Sequence, residues 1–219
     1  MYDPSRSGFG KDDRVVILKP SSRPLARRLT SGFVRGTCLE AQGGPQPVET
    51  LKPGDNLMTR RGEFVPVRRI ETVSYCADLE DAYPDGFVLI PPGVMGNSAD
   101  IYLLPDQLVL IDTGEASSIV GSDSALLRAS ALLGQAGIED VLPIDIVTLH
   151  TLLFDQPEIV FADSRVQVMC AAHDRIAAAE EANLSDIPVL DGFAADRVLM
   201  AVGTGGLVAA RPGASGHAA

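Results

Sequence analysis

Basic residues are missing from the middle of this 219-residue chain: none lies between Arg69 and Arg128, a stretch that holds ten Asp and Glu. The first 30 residues carry seven Lys/Arg against three Asp/Glu, a surplus of four, while the whole chain stands at −11; residues 31–219 therefore carry −15. So acidic a surface repels phosphate backbones, which argues against nucleic-acid binding by the core. Cysteine is scarce as well. Cys38, Cys76 and Cys170 form an odd set with no CxxC or Cys/His spacing, which argues against a disulfide framework and a zinc site. Reduced thiols in a non-oxidising compartment are the simpler reading. Long apolar runs are absent. Val15-Val16-Ile17-Leu18, followed by Lys19 and Pro20, is too short for the core of a signal peptide, and nothing approaches the ~18 apolar residues of a membrane span. The expectation is a soluble, cytoplasmic protein with no cofactor and no metal; export by a route without a cleaved N-terminal signal is the alternative.

The chain does have enough apolar side chains for a core. A hydrophobic fraction of 46% supports one domain of ordinary size with tails. Its 21 Gly and 15 Pro favour short strands and turns over long helices. Residues 1–30 read as a basic, flexible N-terminal arm with one short strand at 14–19. From Phe33 to Ile70 strands and turns alternate: Val34, Cys38 and Val48 are β-formers, and Gly43-Gly44-Pro45 interrupts them. Leu51-Lys52-Pro53-Gly54-Asp55 predicts a tight turn. Leu57, Thr59, Val65 and Val67 alternate around Arg60-Arg61-Gly62, a hairpin pattern. Residues 71–86 read as an acidic loop. The run Asp78 to Gly86 invites a calcium-loop reading, but it lacks the alternating carboxylates that an EF-hand requires, so it is read as a solvated loop. Ser124–Leu133 has helical spacing behind a Ser cap. Residues 141–161 read as strand, turn, strand, residues 174–183 as a helix, and 203–219 as a disordered Gly/Ala tail.

Three groups of residues carry a likeness to a known family. The first runs Ser31-Gly32-Phe33-Val34-Arg35-Gly36-Thr37-Cys38-Leu39, followed by Val48 to Thr59 and then Arg61 to Ile70. The second is Ile101-Tyr102-Leu103-Leu104-Pro105-Asp106-Gln107-Leu108-Val109-Leu110-Ile111. The third runs from His150 through Asp155, Pro157 and Glu158 to Ala162. Together they resemble a Hint module, the self-processing domain shared by Hedgehog C-terminal regions and inteins, and most closely the bacterial Hint-domain proteins. The resemblance implies a mainly β fold: a horseshoe of curved antiparallel strands with one or two short helices. It also implies boundaries, with the β domain over 31–172, a short helical extension over 173–202 and the tail after it.

In that family the module opens with a nucleophilic Cys before Phe, two free positions and Gly-Thr. Here Phe33, Gly36 and Thr37 match, and Gly32 stands at the nucleophile's position. The second family motif is Ser or Thr, Pro, any residue, His; here it reads Leu104, Pro105, Asp106, Gln107. In the closing strands His150 and Asp155 match, and Pro157 replaces a second His. The reaction the resemblance implies begins with a thiol or hydroxyl, one carbon from the backbone, attacking the carbonyl before it. Glycine offers no such atom, and Gln107 has no proton to give near neutral pH. No residue is therefore assigned as catalytic, and Gly32, Thr37, Leu104, Gln107, His150 and Asp155 mark a degenerate site. The implied role is a folded binding or structural unit with an unidentified protein partner.

Three alternatives come from particular residues. Ser31, attacking the Thr30 carbonyl with His150 as acid and base, makes the chain a slow autoproteolytic module, although strand alternation points Ser31 away from the site. Cys38 is read as a small buried apolar residue rather than a nucleophile. His150 and Asp155 are read as a structural hydrogen-bonding pair in preference to a proton-transfer pair. His173 and His217 are assigned nothing. A further class of function is an acidic surface that recruits a basic partner, a contact that added salt would weaken.

Overall fold

A computed structural model of the chain describes residues 31–75, 86–142, 146–173, 187–202 and Leu207. The N-terminal arm and its strand, Cys76, the acidic run at 78–85, the helix expected at 174–183 and, apart from Leu207, the tail with His217 lie outside these residues.

Strand is the dominant state, and the reason is local. Gly and Pro recur every few residues, so ordered runs are kept short. In chain order the strands are β1 (Phe33–Val34), β2 (Cys38–Ala41), β3 (Gly44–Pro47), β4 (Asn56–Met58), β5 (Phe64–Pro66), β6 (Arg69–Tyr75), β7 (Phe87–Ile90), β8 (Ile101–Leu103), β9 (Leu108–Asp112), β10 (Ser124–Arg128), β11 (Glu139–Val141), β12 (Val147–Leu153), β13 (Glu158–Ala162), β14 (Val166–Cys170) and β15 (Val189–Leu190). Two α-helices, α1 (Ser117–Val120) and α2 (Gly192–Val202), and three single turns of 3₁₀ helix complete the set. Among the described residues no helix is long and apolar enough to cross a membrane.

The strands form three sheets. The largest has nine strands, in the order β15-β10-β9-β14-β13-β2-β4-β5 with β3 paired to β2, and it curls into a half-barrel. β1, β12 and β6 form a second sheet with β12 in the middle, and β11, β7 and β8 a third. Pairing is antiparallel throughout except between β10 and β15. The main core gathers side chains such as Phe33, Leu39, Leu57, Ile90, Leu127 and Phe154 from all three sheets, and α2 adds Ala195, Val198 and Leu199 to it. A smaller cluster, Leu110, Leu126, Ile159 and Met169, covers the other face of the large sheet. A third, with Phe87, Leu104 and Leu149 at its centre, joins the two small sheets.

Turn chemistry behaves as the sequence predicts. In the Leu51–Asp55 turn, the Asp55 N–H donates to the Lys52 carbonyl at 3.0 Å, the Lys52 N–H donates to Asp55 Oδ2 at 2.8 Å, and Gly54 takes φ of 98°. The hairpin around Arg60-Arg61-Gly62 also forms, with Leu57 opposite Val65.

Several expectations do not survive. Ser124–Leu133 is not a helix: its first five residues are β10 and Ala129–Leu132 is one 3₁₀ turn. Leu126 packs into the smaller cluster while Ala125 and Leu127 enter the main core. A strand buried on both faces shows an unbroken apolar run, which periodicity does not distinguish from a helix. Residues 71–75, expected as loop, complete β6, because all seven of its residues pair along β12 from Arg69↔Leu153 to Tyr75↔Val147. Val48 opens a 3₁₀ turn instead of a strand. Cys38 is half-buried in β2 rather than a core residue, while Cys170 is fully buried, and burial pushes its thiol well above the ordinary range. His173 lies in an exposed bend.

One carboxylate ties distant loops together. Asp163, in the turn between β13 and β14, accepts hydrogen bonds from the backbone N–H groups of Ser98 and Ala99 and from the Ser98 hydroxyl, 65 residues away in sequence. Burial pushes the Asp163 carboxyl up, and the bonds from Ala99 and Ser98 outweigh it, holding the group below its ordinary value of 3.8. A depressed carboxyl contributes stability that is fully present above its unfolded pKa and lost as pH falls through the folded one. Asp163→Asn keeps a side chain suited to the positive φ of 46° while removing the charge. In urea unfolding it is expected to cost about 1 kcal/mol at neutral pH, with the gap to wild type closing as the pH drops below 3.8.

Candidate functional site

The site is organised by the way β1 lies along β12. Phe33 faces His150 and Val34 faces Leu149, and the Arg35 N–H donates to the Thr148 carbonyl at 3.0 Å. Carried back one residue, this register sets Gly32 opposite Thr151. Directly paired residues of antiparallel strands share a face, and neighbours along a strand alternate. Phe33 and His150 therefore look one way, while Gly32 and Thr151 look the other.

On the Gly32 side, the position where a side chain would begin is enclosed but not closed. A Cβ built there would lie 3.4 Å from Thr151 Oγ1, 3.8 Å from the His150 carbonyl oxygen and 3.8 Å from Leu104 Cδ1. These are ordinary contact distances. The φ of Gly32 also lies outside the left-handed region that favours glycine. Neither backbone nor space therefore demands glycine here. The Thr151 hydroxyl donates to the Ser31 carbonyl at 2.9 Å, the carbonyl of the peptide bond that joins Ser31 to Gly32. Thr151 was not singled out in the sequence. Its neighbour His150 carried the motif, and only the strand register makes Thr151 the residue that meets Gly32.

Leu104 and Gln107 form a turn ahead of β9. The Gln107 N–H donates to the Leu104 carbonyl at 3.0 Å, and Gln107 Oε1 accepts a long 3.4 Å bond from the Leu104 N–H. The turn is held from outside: Ala129 N–H donates to the Gln107 carbonyl, Ser130 N–H to the Pro105 carbonyl, and Arg128 to Asp106 Oδ1. Leu104 is buried against Phe87 and Leu149. Gln107 is fully buried, and its Nε2 has no hydrogen-bond partner among the described residues.

The remaining positions lie apart. His150 is buried on the Phe33 side, with Nδ1 3.2 Å from Thr72 Oγ1. Asp155 lies beyond the end of β12, exposed, and is gripped by Arg68 through three contacts of 2.6–2.8 Å. That guanidinium holds the Asp155 carboxyl below its ordinary value. The expected His150–Asp155 pair is thus replaced by two separate partnerships, because Arg68, 87 residues away in sequence, occupies the carboxylate. Thr37 is a turn residue, its N–H on the Val34 carbonyl and its own carbonyl taken by Val48 N–H. Just before it, Gly36 has φ of 91° and gives its N–H to Glu49 Oε2 at 2.9 Å. Burial pushes the Glu49 carboxyl up, but the Gly36 N–H and the Arg35 charge bring it below its ordinary value. Glu49 is a second residue that the sequence did not single out: it braces the end of β1. Among the described residues no group of three or more His, Cys, Asp or Glu is placed to hold a metal ion.

The Hint domain family matches this chain over residues 31–172. Among solved structures the chain is similar to a bacterial intein-like domain from Clostridium thermocellum, with 14% identity and a TM-score of 0.44 over 64% of this chain and 97% of that one. It is also similar to the gp41-1 intein, with 10% identity and a TM-score of 0.41 over 64% and 98% of the two chains. No curated protein gives a significant match.

The amide nitrogen of Gln107, without a partner among the described residues, makes a prediction about stability. An unsatisfied buried donor costs about 1–3 kcal/mol, and removing it with an apolar group of the same shape recovers part of that. Gln107→Met is expected to leave the urea midpoint unchanged or raise it by the equivalent of up to about 1 kcal/mol, whereas Gln107→Ala lowers it by about 2 kcal/mol through the cavity it leaves. A clear loss in the Met variant would show that the amide has a partner after all.

Proposed function

Because the chain belongs to the Hint domain family, we propose that it is a member that keeps the family's scaffold without the self-cutting reaction, serving as a folded binding or structural unit for a protein partner. The observation that carries this reading is Gly32. Attack on the preceding carbonyl needs a thiol or hydroxyl on the β-carbon, and glycine has none, so the pathway lacks its first step. The unstrained φ and the ordinary contact distances a Cβ would meet at Gly32 mean that no demand of the fold accounts for the glycine.

The acid–base side of the chemistry supports the same reading. Gln107 is an amide that neither protonates nor deprotonates near neutral pH, and loss of a general acid alone costs about 10²–10⁴-fold in rate. His150 faces away from the Gly32 pocket, so it is not positioned to serve the Gly32 amide in its place. Leu104 extends the apolar core up to the vacated position. We take residues 31–172 as the module, preceded by the arm at 1–30. The extension over 173–202 ends in α2, which packs on the module's core, and the tail over 203–219 follows.

The competing reading is slow autoproteolysis by Ser31 with His150. Mass spectrometry of the purified full chain, held at neutral pH with and without hydroxylamine, decides between them. The full-length mass is expected to persist under both conditions. A species lacking its first 30 residues, and abolished by Ser31→Ala, would overturn the inactive reading.

A further inference from the structure

We infer that Thr151 is an oxyanion donor built onto the Ser31–Gly32 carbonyl, still in position over a peptide bond that nothing attacks. The inference rests on Gly32 as the vacated nucleophile position and adds a residue to that site. Three observations support it. The Thr151 hydroxyl donates at 2.9 Å to the Ser31 carbonyl oxygen, the atom on which negative charge would develop if that carbonyl were attacked. A Cβ at Gly32 would stand 3.4 Å from the same hydroxyl, so a nucleophile there and this donor would address one carbonyl from adjacent positions. The hydroxyl is also pre-set. Thr151 is β-branched and so stiff at χ1, it is 8% exposed, and its strand is paired on both sides, with β1 and with Glu71 of β6.

The chemistry this allows balances once a nucleophile is supplied. In Gly32→Cys the sulfur attacks the Ser31 carbonyl carbon and the thiol proton leaves to solvent. The oxygen takes the negative charge facing the Thr151 hydroxyl. Collapse breaks the bond between the Ser31 carbonyl carbon and the residue-32 nitrogen, which takes a proton from water, and leaves a thioester of unchanged composition. Hydroxylamine then displaces the sulfur, releasing residues 1–31 as a hydroxamic acid and residues 32–219 with a free amine and thiol. With Gln107 in place of an acid, the reaction runs slowly.

The test follows hydroxylamine-dependent cleavage of the full chain by mass in wild type, Gly32→Cys, Gly32→Cys/Thr151→Val and Gly32→Cys/Thr151→Ser. Wild type is expected to stay whole and Gly32→Cys to be cut after Ser31. Thr151→Val should slow that cut by about 10²-fold, the effect of losing one such donor, and Thr151→Ser should restore most of it. Equal rates with Val and Thr, or no cut at all in a folded Gly32→Cys chain, would overturn the assignment of Thr151. Cleavage of wild type would instead overturn the inactive reading, so the two failures are distinct. The ¹³C shift of the Ser31 carbonyl provides a second measure should Gly32→Cys misfold. It is expected to move upfield in the Thr151→Val single variant and to stay in place in Thr151→Ser, and an unmoved signal in Thr151→Val also counts against the donor.

Discussion

The register of β1 on β12 is the constraint from which the rest of the site follows. Two residues of β1 are paired directly, yet the alignment is fixed from both ends: Arg35 N–H on the Thr148 carbonyl, and the Thr151 hydroxyl on the Ser31 carbonyl. β12 itself cannot shift, because seven consecutive pairs bind it to β6. A slip of one residue would exchange the two faces of β1, sending Phe33 out of the core and turning Gly32 toward Thr72 and His150. Burial of Phe33 at 1% exposure therefore positions the site as firmly as any polar contact in it.

That same register decides what the sequence could and could not disclose. Turns at Leu51–Asp55 and Arg60–Gly62 were legible because Gly and Pro mark them chemically. The outline of the fold, many short antiparallel strands, followed from the same punctuation and from the family likeness. β10 was not legible: a strand with apolar neighbours on both faces has no period of two to show. The partnership of Asp155 was not legible either, since Arg68 reaches it only through the pairing of β6 with β12. A motif names positions and leaves their orientations open. His150 carried the motif and faces away, while Thr151, with no motif to mark it, faces Gly32.

The altered positions differ in physical kind. Leu104 is satisfied where it lies, packed with Phe87 and Leu149. Gln107 is not. It is wholly enclosed, with its oxygen on a long bond and a nitrogen that has no partner among the described residues, a combination that costs stability. The surrounding turn nevertheless stays in place, because Arg128, Ala129 and Ser130 hold it from β10 and the 3₁₀ turn that follows. The backbone of this turn is thus maintained by contacts that do not depend on the side chains of Leu104 and Gln107.

Thr151 fits that picture despite standing where a catalytic donor would. A hydrogen bond to a carbonyl oxygen accelerates attack only to the extent that it strengthens as charge develops on that oxygen. Without a nucleophile no charge develops, and the bond reduces to one of ordinary ground-state strength, about 1 kcal/mol. It still has a use: with the Arg35 contact it fixes the incoming chain on β12 and so supports the burial of Phe33. An oxyanion donor and a structural hydrogen bond are thus the same group at the same distance, separated only by whether a heteroatom is present on the β-carbon of residue 32. The fold can therefore keep Thr151 for stability alone, and its presence is fully compatible with a module that does not cut.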